Sequence, residues 1–357
     1  LEAMMPYLTD KFGNPSSIYS YGRETRLAIE NARKSVAKIL NVKPSEIFFT
    51  SGGTESTNTA INAAVKDLGC SRIISSPIEH HATLHTVEHL HKRGKAALDF
   101  VKLLPDGNVD LQNLEELLQN SKEKCVVSLM HANNEIGTML PLQQVGAICE
   151  KFNAIFHTDA VQTVAHFPLD LKSTTIHFIS ASAHKFHGPK GVGIIYINEN
   201  VKINAYMQGG SQERNMRAGT ENIYGIVGFA KALEIATANY ETDRAHIMGL
   251  RDYMMQQLQQ HIAGVSFNGN PSEYTLYTVL SANFPLTAKS EMLVFSLDIN
   301  NICVSAGSAC TSGAEKGSHV IAAVQPNDDL VTVRFSFSKH NTKEEIDFVV
   351  DKLKTLV

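Results

Sequence analysis

Between residues 47 and 197, short apolar runs alternate with amphipathic stretches of helical period, and this alternation limits the possible folds more than any other feature of the chain. Ile47-Phe48-Phe49-Thr50, Arg72-Ile73-Ile74-Ser75, Cys125-Val126-Val127-Ser128-Leu129-Met130 and Ala154-Ile155-Phe156-His157 have the length and β-branched or aromatic content of strands. So do Ile176-His177-Phe178-Ile179 and Val192-Gly193-Ile194-Ile195-Tyr196-Ile197. Helical patterns cover residues 24–40, 54–66, 111–118 and 145–151. Alternating strands and helices predict an α/β fold with a mainly parallel sheet covered on both faces. Residues 221–261 are almost continuously helical in pattern. Further apolar runs at 278–283, 292–297 and 331–337, with a last helix over 342–356, predict a smaller C-terminal α+β domain. The expected division is a large domain over 13–240 and a small one over 241–357, with residues 1–12 packing with the small domain.

The 357 residues, 43% hydrophobic and 19% charged, suffice for two such domains. A net charge of -4 with no basic block argues against nucleic acid as a partner. No apolar run approaches the length of a membrane span. The five cysteines, Cys70, Cys125, Cys149, Cys303 and Cys310, are odd in number and include no C-x-x-C pair. They predict free thiols in a reducing, cytoplasmic setting. The sequence opens within an expected helix, Leu1-Glu2-Ala3-Met4-Met5, so a longer N-terminus is expected to precede it.

In sheets of this kind ligands bind on the loops that follow the carboxyl ends of strands, and four such loops carry chemistry. In Thr50-Ser51-Gly52-Gly53-Thr54-Glu55-Ser56, Gly53 and its neighbour let backbone approach a ligand, and the following helix start suits a phosphate. Thr54 as a plain N-cap is the alternative. In Ile78-Glu79-His80-His81, His80 could stack on a flat heterocycle and relay protons. His81, His85 and His89 recur every four residues, but no Asp or Cys completes a metal set, so a solvated histidine face and no metal are expected. In His157-Thr158-Asp159-Ala160-Val161-Gln162, Asp159 could hold a proton on a pyridine nitrogen and Gln162 could reach the ring's phenolic oxygen; Asp159 as an N-cap is the alternative. The fourth loop, Ser180-Ala181-Ser182-Ala183-His184-Lys185-Phe186-His187-Gly188, holds Lys185 in a tight connection at a strand end. A fixed, partly desolvated amine there could bond a cofactor aldehyde, with Ser182 and His184 donating to a phosphate. On this loop alone, a surface lysine in a glycine turn remains open. Together the four loops make up a complete site for pyridoxal 5'-phosphate (PLP).

The chain resembles the cysteine desulfurases of the NifS/IscS type, class V members of the fold-type I PLP-dependent transferases. The resemblance runs from Phe12-Gly13-Asn14-Pro15-Ser16-Ser17 to the C-terminus. It takes in the four loops, His131-Ala132-Asn133-Asn134-Glu135-Ile136-Gly137, residues 214–222 and residues 307–312. It implies that Lys185 carries the PLP, that Thr54, Ser182 and His184 bind its phosphate, and that Asp159 and Gln162 hold the ring with His80 stacked on it. Thr220 would reach the phosphate across a homodimer interface, and Asn134 and Arg334 would bind the substrate carboxylate. The family's Tyr-Leu-Asp-Asn-Ala-Ala-Thr-Thr-like opening is not among these residues, and residues 276–285 lack the Asn-Thr-rich strand start common in relatives.

Cys310 lies in a long small-residue stretch, 305–318, which reads as a mobile loop with an available thiol. The resemblance makes it the nucleophile that takes sulfur from L-cysteine, leaving alanine and an enzyme persulfide for an acceptor protein such as an iron–sulfur scaffold. Cys303, inside Ile302-Cys303-Val304, is expected in the core, with Cys70, Cys125 and Cys149 also structural. Arg334, on the alternating run Val333-Arg334-Phe335-Ser336-Phe337, suits a carboxylate, an intradomain ion pair being the alternative. A selenocysteine lyase, a class V aminotransferase and a non-catalytic sulfur-transfer scaffold remain as other readings.

Overall fold

The computed structural model describes residues 1–270, 274–306, 317–325 and 329–357. These form two compact units. The larger comprises Leu1–Val101, Leu111–His131 and Pro141–Tyr240; the smaller comprises Lys102–Asp110, Ala132–Leu140 and Glu241–Val357. Residues 1–12, expected with the smaller domain, belong to the larger unit. The reason is local: helix α1 (Met5–Thr9) packs on α8 (Ile223–Ala238), where Met4 meets Gly228.

The larger unit is built on a seven-stranded sheet of order β1-β7-β6-β5-β4-β2-β3. The strands are β1 (Ile47–Thr50), β2 (Arg72–Ser75), β3 (Ala97–Phe100), β4 (Cys125–Ser128), β5 (Ile155–Asp159), β6 (Phe178–Ser182) and β7 (Gly193–Ile197). Strands β3, β2, β4, β5 and β6 are mutually parallel; β7 alone is reversed, pairing antiparallel with both β6 and β1. Every residue of β1, β4, β5, β6 and β7 is buried, as strands with both faces covered must be. Helices α2 (Ser20–Ile39), α3 (Gly53–Lys66), α4 (His81–Lys92), α5 (Leu111–Gln119) and α6 (Leu142–Lys151) connect or cover the strands. Ile61 and Ala64 of α3 and Val87 of α4 pack with Ile73, Val126, Phe178 and Ile195 in one core. Each fully buried side chain of that size contributes about 1.5–3 kcal/mol.

Strand β1 is a sheet edge whose open side is covered by side chains. After β7 the chain makes one turn, α7 (Gln212–Asn215), in which Glu213, Arg214 and Asn215 all have positive φ (43°, 56° and 65°). Such left-handed residues cost about 1–2 kcal/mol each, so partners must hold the turn. The buried Glu213 carboxylate receives Arg33 of α2 through two 2.8 Å bonds and also accepts from Phe49 N at 2.8 Å. Arg33 and Arg214 both donate to Ile47 O and lie over the rings of Phe49 and Phe48. Side chains thus do at β1 what a further strand would do, which protects the edge.

The smaller unit carries an antiparallel sheet, β10-β9-β8, from β8 (Ser266–Phe267), β9 (Val279–Pro285) and β10 (Leu330–Ser336). Its helices are α9 (Tyr240–His261), α10 (Leu293–Ile299), α11 (His319–Val324) and α12 (Lys343–Leu356). Thr342 and Glu345 form a reciprocal capping box at the start of α12. No helix among the described residues is long and apolar enough to cross a membrane.

Candidate active site

The carboxyl ends of β1, β2, β5 and β6 carry the four loops singled out in the sequence, and all lie in the larger unit. After β1, the N-cap of α3 is Gly52, not Thr54, and no side chain caps the helix. Thr54 lies inside the first turn, so the N–H groups of the first helical residues receive no side-chain cap and would suit an anion. Thr50 Oγ1 and Ser56 Oγ bond at 2.8 Å, and Ser56 Oγ reaches Ile194 O at 2.8 Å, fixing the loop on β7. Glycine is required where backbones meet. A Cβ on Gly193 would lie 2.7 Å from Gly52, and one on Gly53 would lie 2.5 Å from Val161 Cγ2. Ser182, 4% exposed, borders the cradle, 3.7 Å from where a Cβ of Gly52 would stand.

Asp159 ends β5 and is 6% exposed. Burial pushes its carboxyl up to about 6, against the opposing pulls of a 2.9 Å bond from Val161 N and the charge of Lys185. Gln162 follows in the same turn, half-buried. His80 caps α4: its Nδ1 accepts from Ala82 N at 3.1 Å, which puts the proton of the neutral ring on Nε2. His81 and His85 stack with centroids 4.7 Å apart, and His89 is exposed one turn on.

Lys185 sits on a single 3-10 turn, Ala183–Phe186, directly after β6. Three contacts fix the turn. Phe186 is buried edge-on against Phe229 of α8 (5.2 Å, 88°), Gly188 N donates to Ala183 O at 2.9 Å, and His166 Nε2 lies 3.0 Å from Lys185 O. The side chain of Lys185 is exposed where partial burial was expected, because it stands on the outer side of the turn from Ala183 and Phe186. His184 is exposed, its pKa lowered by partial desolvation and by the charges of Lys185 and Lys190. Thr220 is exposed on the loop before α8.

Several buried groups at these strand ends had no assigned role from sequence. Glu79, 1% exposed, accepts from Met130 N at 2.8 Å; burial, with the charge of Asp159 adding to it, raises its carboxyl well above the usual range. His157 lies between Ser128 Oγ (2.8 Å) and Ser180 Oγ (3.0 Å), and Thr57 donates to that same Ser180 oxygen, so a closed polar network joins β4, β5, β6 and α3. Burial lowers His157 and His131 to about 3, keeping both neutral. A charged or imidazole residue inside an apolar strand end was the available signal.

In the smaller unit, Arg334 on β10 donates to the backbone oxygen of Asn134 at 3.0 Å and to Ser305 Oγ at 3.4 Å. Asn134 is half-buried. Cys310, with residues 307–316, lies outside the described residues. Cys303 is exposed, contrary to expectation: Ile302 takes the buried position in this non-regular segment, and Cys303 faces out. Cys70, Cys125 and Cys149 are buried, and desolvation raises their thiols, to about 11 for Cys70 and about 12 for Cys149.

Residues 1–349 match the family described as Aminotransferase class-V. A cysteine desulfurase IscS of Dictyoglomus turgidum is 41% identical over 360 residues, covering 100% of this chain and 90% of its own. One of Methanosarcina thermophila is 41% identical over 363 residues, covering 100% and 88%. Among solved structures, a NifS-like protein superposes with a TM-score of 0.91 at 38% identity, over 99% of this chain and 94% of that one. SspA in complex with cysteine superposes with a TM-score of 0.80 at 28% identity, over 96% and 95%.

Proposed function

The chain belongs to the aminotransferase class-V family, among its cysteine desulfurases, and on that premise we propose that it moves sulfur from L-cysteine to its own Cys310, releasing L-alanine. The observation that carries this reading is the convergence of Asp159, Lys185, Ser182 and the Gly52–Gly53 cradle on the ends of β1, β5 and β6 of one sheet, with Ser182 bordering Gly52. These residues fit PLP: an uncapped helix start for its phosphate, a buried carboxyl for its ring nitrogen and a lysine on a rigid turn for its aldehyde. When bound, PLP supplies the aldehyde that Lys185 and the amino substrate exchange, and a ring that takes up electrons from the substrate α-carbon.

The protein's part in the reaction is positioning and proton movement. Asp159 would keep a proton on the pyridine nitrogen of bound PLP, and Gln162 and His80 would hold its ring oxygen and face. Thr54, Ser182 and His184 hold the phosphate. Lys185 Nζ or His80 Nε2 moves the α-proton. Asn134 and Arg334 bind the substrate carboxylate, a role that suits the planar fork of a guanidinium. The Cys310 thiolate attacks the substrate sulfur: the S–S bond forms, the carbon–sulfur bond breaks, and the carbon takes a proton as alanine leaves. An acceptor protein, of the iron–sulfur scaffold kind, then collects the sulfur from the persulfide in the cytoplasm. Thr220 acts across a homodimer; the exposed apolar side chains Phe12, Ile18 and Tyr21, at 77%, 90% and 67% exposure, are of the kind that a second copy covers.

Incubation with L-cysteine and a reductant, beside a Cys310→Ala variant, tests the reading. Equal alanine and sulfide, both lost in the variant, are expected. A keto acid without sulfide would make it an aminotransferase, and no turnover by PLP-loaded protein would point to a required N-terminal segment, a different substrate such as selenocysteine, or a scaffold role.

A further inference from the structure

Glu55 occupies the first turn of α3, beside the cradle. A carboxylate there competes with any phosphate for the positive potential of the helix start. It is matched by Arg217, whose Nε and Nη2 reach the two carboxylate oxygens at 2.9 and 3.1 Å. One of these oxygens also accepts from Ser51 N at 3.0 Å, inside the cradle loop. The Glu55 side chain is 10% exposed and that of Arg217 24%. Arg217 is the third fixed point in a short segment. Glu213 holds Phe49 N and Arg33, Arg214 holds Ile47 O, and Arg217 holds Glu55, so the segment is fastened along β1 and into the loop that β1 feeds. Three residues on comes Thr220.

We propose that Glu55 and Arg217 are positioning residues for the cofactor phosphate: their ion pair locks the Ser51–Gly53 backbone in its receiving shape, cancels the carboxylate beside the helix start, and ties the cradle to the segment that presents Thr220. The inference rests on the reading of this site as one for PLP. A bidentate pair carries geometry as well as charge, so lysine replaces Arg217 only in part.

The test uses full-length protein stripped of cofactor and titrated with PLP, the dissociation constant being read from absorbance, with the melting temperature of the stripped protein measured in parallel. In metal sites, residues that hold a ligating group without touching the metal typically change affinity by about 10–100-fold, and an effect of that size is expected here. Arg217→Ala is expected to weaken PLP binding by that factor, and Arg217→Lys by less. Adding Glu55→Gln to Arg217→Ala is expected to recover part of the loss, because no uncompensated carboxylate then faces the phosphate. The melting temperatures of the stripped variants are expected to stay together while PLP affinity separates them. Unchanged affinity in Arg217→Ala overturns the proposal. So does a loss of affinity that follows melting temperature through the whole series, with no recovery in the double variant. Wild-type protein that takes up no PLP overturns the reading of the site itself, a result distinct from either.

Discussion

Asp159 meets two demands that pull against each other. In its proposed role it must be ionised to hold a proton on a ring nitrogen, yet its position at the buried end of β5 disfavours charge. Its pKa is near 3.8 in the unfolded chain and about 6 in the fold, so the protonated form favours folding. The cost of ionising it is absent below about pH 4, grows between about 4 and 6, and is complete above 6, where it amounts to about 3 kcal/mol. Asp159→Asn should therefore make the cofactor-free protein more stable than wild type in urea at pH 8, by up to that amount. The gap should close as pH falls to about 4, and the variant should lose its hold on PLP. A gap that is the same at every pH would contradict this. Thiols give a second check. Cys303 should react with a thiol reagent in the native protein, while Cys70, Cys125 and Cys149 react only after unfolding, as mass mapping of labelled peptides would reveal. The sequence placed Asp159 and Lys185 at strand ends, where the structure has them, because a short apolar run ends within a few residues before each. Cys303 was misread because burial within Ile302-Cys303-Val304 depends on which way each side chain faces, and composition does not carry that.

At the level of elements, the left-handed turn and the edge strand depend on each other. Glu213→Ala would leave the buried Arg33 guanidinium with only the more exposed Glu30 as counter-charge, and Phe49 N without an acceptor. The expected loss is about 3–5 kcal/mol in urea unfolding. Glu213→Gln, which keeps an acceptor for Phe49 N, should lose less. Gly193→Ala should be disproportionately harmful for one methyl group, since its Cβ would sit 2.5 Å from Ala181 O and 2.7 Å from Gly52. Stability should fall by about 1–3 kcal/mol and PLP should bind more weakly, both measurable on one preparation. Six of the seven strands of the larger sheet were legible, five of them being buried on both faces; β3 (Ala97–Phe100), only partly buried, was not read as a strand. The cap of α3 was not: glycine and threonine both serve as N-caps, and only the approach of β7 decides between Gly52 and Thr54. Nor was the Arg33–Glu213 pair, because residues so far apart in sequence leave no periodic trace.

For the whole molecule, the division into two units puts the cradle, Asp159 and Lys185 in one, and Asn134 and Arg334 in the other, with residues 132–140 leaving the larger unit only to return at Pro141. Such an excursion was invisible to a sequence reading that kept 13–240 as one piece. If Thr220 serves the partner's site, mixing Lys185→Ala with Thr220→Ala protein under subunit exchange should give more activity than the two parents summed. Each mixed dimer then keeps one site with both residues intact. Additive activity would place Thr220 in its own subunit's site. The reversal of β7 has a consequence for what the chain can tolerate. Because β7 runs against β6, the segment bearing Lys185 leaves the sheet at Ser182 and re-enters on the adjacent strand at Gly193, with Ser182 and Gly193 directly paired. A crossover helix can lengthen by a turn without disturbing the strands it joins, but this closed hairpin has no such slack. Inserted residues there would have to bulge outward or shear the pairing, so peptide tags and natural insertions should be accepted at the helical crossovers and rejected between Ser182 and Gly193.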